Sequence, residues 1–214
     1  MEQPAGADAV RSRLRAATLL LSLCSIAFVQ VSRHGERAVV DEAAGRPIFL
    51  FALWGIALAA AVTALASPSS VWRPALGGLT LPAFLGICVA WGAVVYGAGL
   101  LFEYSDAPSR EDVVGALIGW VLVEEFLFRG ALFDLIDRVR PPGGLDAAIV
   151  GTTVLFAVSH LQYNAFDFAE SAGQIAYVIP TGLLFGWIRR RTGSVWPSVV
   201  LHSLANTIAI VGGG

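Results

Sequence analysis

Two adjacent carboxylates and an arginine lie in the middle of a long apolar stretch of this 214-residue chain. Glu124 and Glu125 are neighbours, and Arg129 follows Glu125 by four residues, which is about one helical turn. An ionised side chain at the centre of a bilayer costs roughly 2.5–3.5 kcal/mol. Such groups are expected to face one another, other helices or water, and at this depth they indicate a functional site.

The spacing of these three residues predicts a division of roles. Glu125 and Arg129 share a helix face and are expected to form an ion pair. Glu124 points about 100° away on an α-helix, and two adjacent carboxylates make each other's ionisation more costly. Glu124 is therefore the candidate general base near neutral pH. A purely structural ion pair between helices is the alternative for Glu125 and Arg129.

Two further polar pairs lie in later apolar stretches. Phe156 and His160 are four residues apart, as are His202 and Asn206. With the carboxylates they would suit the activation of water at a carbonyl group, because a glutamate can take the proton and a histidine can hold the water. The second histidine and the asparagine would donate to the developing oxyanion. Taken alone, each pair has an interfacial or helix-packing role as its alternative.

A metal site is the other chemistry open to these residues. Glu124, His160 and His202 could bind zinc and leave one position for water. The chain has no His-Glu-x-x-His motif, and the guanidinium of Arg129 disfavours a dication close by. We therefore predict no firm cofactor and leave zinc open.

The composition indicates that membrane helices position these residues. Hydrophobic residues are 56% of the chain and charged residues only 14%, whereas about a quarter of a soluble domain is charged. A net charge of −2 gives no indication of nucleic-acid binding. The predicted fold is an all-α polytopic transmembrane bundle of about seven helices, since only helices satisfy the backbone over such runs. The predicted spans are Ala16–Ser32, Pro47–Ala66, Leu76–Phe102, Val113–Ile136, Leu145–Gln162, Gly173–Ile188 and Ser194–Val211.

One structural domain is predicted, with three parts along the chain. Residues 1–12 are expected to form a flexible tail, residues 13–112 the N-terminal membrane helices, and residues 113–212 the catalytic membrane core. All 14 basic residues are arginines. Most of those in the loops fall on one side of the predicted spans, and the positive-inside rule then places the N-terminus in the cytoplasm.

The three motifs resemble those of the CPBP family of intramembrane proteases, also called the CAAX protease and bacteriocin-processing (Abi) family. Its motifs have the forms Glu-Glu-x-x-x-Arg, Phe-x-x-x-His and His-x-x-x-Asn. The resemblance extends over roughly Val113 to Val211, and the motifs occur in the same order inside apolar stretches. The matching stretches are Glu124–Arg129, Phe156–His160 and His202–Asn206.

The resemblance implies a role for each motif residue. Glu124 would be the base that activates water, helped by His160, while His202 and Asn206 would form the oxyanion hole. Eukaryotic members of the family remove the last three residues of prenylated CAAX proteins, and other members are linked to bacteriocin maturation or self-immunity. The supporting motif residues would be Glu125, Arg129 and Phe156.

The predicted function is that of an intramembrane endopeptidase. It would hydrolyse a peptide bond of a membrane-associated protein or peptide with water activated by glutamate, and its partners would be the lipid bilayer and that substrate. The predicted location is a bacterial inner membrane. A non-catalytic bacteriocin immunity or scaffold protein is the alternative. A proton-coupled transporter is disfavoured, because all candidate residues lie in the C-terminal half rather than in two matching repeats.

Overall fold

The computed structural model describes residues 46–101, 119–139, 146–161 and 168–212. Over these ranges the protein forms helices and no strand, as the all-α prediction requires. The predicted tail, residues 1–12, and the first predicted span, Ala16–Ser32, lie outside the described residues.

Six helices make up the described part of the chain. Helix α3, residues 120–139, is a continuous rod of three segments: an α-helix Trp120–Glu125, a π-helix Phe126–Leu132 and an α-helix Phe133–Val139. A 3-10 turn, Ser69–Trp72, follows the first helix. The other five helices are α1 Arg46–Ala66, α2 Leu81–Leu101, α4 Ala147–His160, α5 Phe168–Thr192 and α6 Trp196–Gly212.

Two of these helices are long and apolar enough to cross a bilayer, namely Leu81–Ala98 of α2 and Ser171–Thr192 of α5. Helix α4 is apolar but has only 14 residues. At 1.5 Å per residue it extends about 21 Å, less than the hydrocarbon thickness of about 30 Å. The described part of the chain therefore does not confirm seven crossings. The apolar residues exposed on α2, among them Leu85 and Val89, are suited to contact with lipid.

The π-helical segment packs closely against α1. A Cβ atom on Gly130 would lie 2.5 Å from Cγ2 of Thr63, so only glycine fits at this point. The hydroxyl of Thr63 donates to the carbonyl oxygen of Phe126 at 2.5 Å. Helix α1 thus supports the segment that carries Arg129.

Helices α4 and α5 also approach each other closely. A Cβ atom on Gly182 would lie 2.9 Å from Cγ2 of Thr153, and one on Gly186 would lie 3.0 Å from Cγ2 of Ile149. The two glycines are four residues apart and lie on the same face of α5. Small residues at such positions let membrane helices pack backbone to backbone, which brings α4 and its histidine toward α3.

A group of charged residues joins the ends of α3, α4 and α5, and we call it the end cluster. Arg189 donates to Asp134 at 2.7 Å. Arg190 donates to Asp137 at 2.7 Å and to both carboxylate oxygens of Asp146 at 2.6 and 2.8 Å. Asp146 also caps α4 by accepting from its first backbone N–H groups. These contacts tie three helices together beside the site described next.

Candidate active site

The two glutamates are the last residues of the first α-helical segment of α3, and the π-helix starts directly after them. Glu124 is 3% exposed, while Glu125 and Arg129 are fully buried. A π-helical turn within an α-helix is rare and is often found at a functional site. The polar residues that the sequence singled out therefore lie at an irregular point of an otherwise regular rod.

The predicted ion pair is present, and a histidine from α6 joins it. Arg129 Nη1 lies 3.2 Å from Glu125 Oε1. His202 Nδ1 lies 2.9 Å from the same oxygen, and His202 Nε2 lies 3.8 Å from Glu124 Oε2. One imidazole thus faces both carboxylates. We call Glu124, Glu125, Arg129 and His202 the active-site cluster.

His160 reaches this region from the C-terminal end of α4. Its Nδ1 lies 2.7 Å from the carbonyl oxygen of Phe156, one turn back along the helix. Because a carbonyl oxygen can only accept, Nδ1 carries the proton in this contact and Nε2 of the neutral ring is left as an acceptor. Ser159 Oγ also lies 3.4 Å from this Nδ1 but donates to the Phe156 carbonyl, so it is not placed as a nucleophile.

Two phenylalanines surround the charged groups. The Arg129 guanidinium lies 4.3 Å from the ring centre of Phe156 and 5.4 Å from that of Phe185. The His202 ring lies 6.0 Å from Phe156 and 5.4 Å from Phe185, and His160 lies 4.5 Å from Phe156. His160 and His202 therefore both contact the ring of Phe156. Asn206 is half-buried and follows His202 by one turn on α6, as its spacing predicted.

Phe185 is a site residue that the sequence did not reveal. It is fully buried on α5 between Arg129 and His202. Along the chain it is one apolar residue among many in a long apolar helix, and no spacing marks it. Its role depends on which helices meet at this point.

Several buried polar atoms of the cluster have no hydrogen-bond partner among the described residues. They are Oε2 of Glu125 and the Nε and Nη2 atoms of Arg129. Unpaired buried donors and acceptors are costly and uncommon in native proteins, so each needs an explanation.

A zinc site does not fit this arrangement. Within the part of the chain that the structure describes, no group of three histidine, cysteine or acidic side chains is arranged to hold a metal ion. The guanidinium of Arg129, which contacts Glu125, places a positive charge beside the candidate ligands and disfavours a dication there. We therefore derive no catalytic step that depends on zinc.

Comparison with known protein families places this cluster in context. The family model described as type II CAAX prenyl endopeptidase Rce1-like matches residues 111–208. No curated protein and no solved structure gives a significant match to the chain. The matched segment contains all three motifs, from Glu124 to Asn206. This match supports, over residues 111–208, the resemblance to the CPBP family of CAAX proteases that the three motifs indicated.

Proposed function

We propose that the protein is an intramembrane endopeptidase that hydrolyses a peptide bond of a membrane-associated peptide with water activated by Glu124. The observation that carries this proposal is the buried active-site cluster, in which one imidazole faces two carboxylates within a segment that matches a peptidase family. Ionisable groups held at such depth are expensive, and they are expected where they have a function.

In the proposed reaction the oxygen of a water molecule attacks the carbonyl carbon of the substrate, and Glu124 takes the proton. His160, which holds its own Nδ1 proton toward Phe156, offers Nε2 to orient that water. Collapse of the tetrahedral intermediate breaks the C–N bond, and Glu124 returns the proton to the leaving amine. The products are a carboxylic acid and an amine, and transfer of the acid's proton to the amine gives a carboxylate and an ammonium group, so atoms and charge balance.

His202 and Asn206 are proposed to stabilise the oxyanion. In its imidazolium form, His202 donates from Nδ1 to Glu125 and keeps an Nε2–H for the substrate oxygen. Glu125 and Arg129 hold that imidazole in place, because Glu125 Oε1 accepts from both Arg129 Nη1 and His202 Nδ1. Phe156 packs against Arg129 and both histidines and keeps their rings apart from bulk solvent.

The description of the matching family supports a first choice of substrate. Type II CAAX prenyl endopeptidases are named for prenylated C-terminal peptides, so a farnesylated CAAX peptide is the first substrate to test. A bacterial inner membrane and a cytoplasmic N-terminus remain predictions from the sequence. Bacteriocin maturation or immunity also remains a prediction, since the description of the matching family does not mention either.

Replacement of the proposed base tests the function directly. Glu124→Gln keeps the size of the side chain but cannot accept a proton, so the kcat for peptide cleavage in proteoliposomes should fall by about 10²–10⁴-fold. Asp137→Asn is the matched control, because Asp137 is a half-buried carboxylate on the same rod that contacts Arg190 in the end cluster. Its kcat should equal that of the wild type.

Two results would count against the proposal. Full cleavage by the Glu124→Gln protein, with a folded state like that of the wild type, would remove Glu124 as the base. Absence of cleavage by the wild type, for prenylated and unmodified membrane peptides alike, would favour a non-catalytic immunity or scaffold protein. The two variants and the wild type should be assayed in the same lipid mixture.

A further inference from the structure

Helix α3 departs from α-helical geometry at one backbone hydrogen bond next to Arg129. In an α-helix the N–H of Phe133 would donate to the carbonyl oxygen of Arg129, four residues earlier. Here the Phe133 N–H is directed to the carbonyl oxygens of Phe128 and Gly130 instead. The bond to Phe128 spans five residues, which is the π-helical pattern. The carbonyl oxygen of Arg129 therefore does not accept from the N–H group that would donate to it in an α-helix.

A side chain from another helix donates a hydrogen bond to this carbonyl oxygen. Arg189 Nε donates to the backbone oxygen of Arg129 at 2.8 Å, and Arg189 Nη2 donates to Asp134 Oδ1 at 2.7 Å. Arg189 is only 5% exposed. Its planar guanidinium thus contacts two points on α3 that lie five residues apart, one on each side of Phe133. A point-like ammonium cannot reproduce this pair of directed contacts, whereas the arginine fork holds both.

The π-helical turn matters for the direction of the catalytic side chains. It accommodates one more residue per hydrogen-bonded turn than an α-helix, which rotates the chain before the turn by about 100° relative to the chain after it. Glu124 and Glu125 lie before the turn, and Asp134 lies after it. If this turn became α-helical, Glu124, Glu125 and Asp134 could not all keep their present contacts at the same time.

We propose that Arg189 is a positioning residue that keeps this turn of α3 in its π-helical form by donating a hydrogen bond to the carbonyl oxygen of Arg129. Through that turn it directs Arg129 at Glu125, whose Oε1 atom also contacts Nδ1 of His202. The part of this inference that concerns activity rests on the proposed peptidase function. The part that concerns the helix does not, and the experiment separates the two.

The neighbouring arginine provides a matched control. Arg190 lies on the same helix and pairs with Asp137 and Asp146 rather than with the backbone of the π-helix. Arg189→Lys and Arg190→Lys make the same change one residue apart, and each keeps its positive charge. Arg189→Lys should lower kcat by roughly 10- to 100-fold with little change in KM, because a misplaced catalytic group slows the chemical step more than binding. Arg190→Lys should leave kcat unchanged.

Hydrogen exchange of the amides of residues 129–134, measured in nanodiscs, reports on the turn without any need for activity. Arg189→Lys should speed this exchange about 10-fold, as expected for the loss of one hydrogen bond to a charged group, and Arg190→Lys should not. Asp134→Asn removes the ion pair but keeps the carbonyl contact, so its kcat should stay nearer to that of the wild type than the kcat of Arg189→Lys.

Each outcome decides between the two parts of the inference. Equal exchange and equal kcat for Arg189→Lys and Arg190→Lys would overturn it. Altered exchange with unchanged kcat would also overturn the positioning role, since the turn would then have no influence on the reaction. A wild type that cleaves no peptide, combined with altered exchange in Arg189→Lys, would leave the turn assigned to Arg189 and would refute the proposed function instead.

Discussion

The end cluster and the active-site cluster lie along the same helix, α3, but their charges are paired to different degrees. In the end cluster, Arg189 and Arg190 donate to three aspartates over 2.6–2.8 Å. The side chains of these pairs are 6–32% exposed. In the active-site cluster, Arg129 and Glu125 meet at 3.2 Å with no exposure at all. Three of their polar atoms have no hydrogen-bond partner among the described residues.

This difference suggests what each cluster is for. Close pairing at the rim of a bundle is typical of contacts that hold helices together. Among the buried side-chain atoms of the end cluster in the described residues, only Oδ2 of Asp134 lacks a hydrogen-bond partner. Incomplete pairing in a fully buried cluster costs stability, and it is useful when the unpaired donors interact more strongly with a transition state than with the resting protein. We therefore propose that the end cluster holds the helices together, with Arg189 also positioning α3, and that the active-site cluster is catalytic.

Removal of the buried guanidinium should have the largest effect on stability. Arg129→Met leaves Glu125 as a buried charge beside Glu124, so the free energy of unfolding should fall by about 3–5 kcal/mol. Arg190→Met is the matched change in the end cluster, where the side chain is 29% exposed, and it should cost about 1 kcal/mol or less. Denaturation by SDS in mixed micelles measures both. Equal losses would mean that burial does not separate the two clusters.

Removal of an aromatic ring from the site should have a smaller effect on stability together with a specific effect on activity. Phe185→Leu loses ring contacts to Arg129 and His202 and should cost about 2 kcal/mol of unfolding free energy. It should also lower kcat about 10-fold through looser positioning. Phe84, on α2 in the same hydrophobic cluster, provides the control. Phe84→Leu should lower stability without lowering kcat, and equal kcat values for the two variants would show that Phe185 is only a packing residue.

The smallest effect is expected at the start of α4. Asp146→Ala removes the side chain that caps this helix and pairs with Arg190, and the loss of the cap should cost about 1 kcal/mol with kcat unchanged. Asp146→Asn keeps a capping oxygen, so it should recover most of that loss. Thermal unfolding followed by circular dichroism is sufficient to rank the three proteins. A large loss of kcat in Asp146→Ala would place the end cluster in the catalytic machinery.

Local spacing was enough to predict part of the site. The separation of four residues predicted that Glu125 would pair with Arg129, and the structure has this pair. That Glu124 would stay outside the pair remains a prediction. The same separation also predicted that His202 and Asn206 would share one face of α6. These predictions concern neighbours along one helix, whose geometry is the same in any bundle. The catalytic roles of these residues remain predictions.

Features that depend on contacts between helices could not be predicted in this way. They include the shared carboxylate contacts of His202, the ring of Phe185 and the hydrogen bond from Arg189 to the Arg129 carbonyl. The prediction of about seven spans assumed that every apolar run is a crossing. In the described residues only two helices meet that standard of length and composition, partly because α4 is too short.

Composition and motif spacing alone predicted a helical membrane protein whose C-terminal half carries the motifs of a protease family. They act through hydrophobicity and helical periodicity, which are properties of short stretches of chain. Packing in three dimensions was required to show that His202 joins both glutamates and that α3 contains a π-helical turn held from α5. These contacts join groups that lie 60 or 77 residues apart along the chain, and they are determined by how the helices pack.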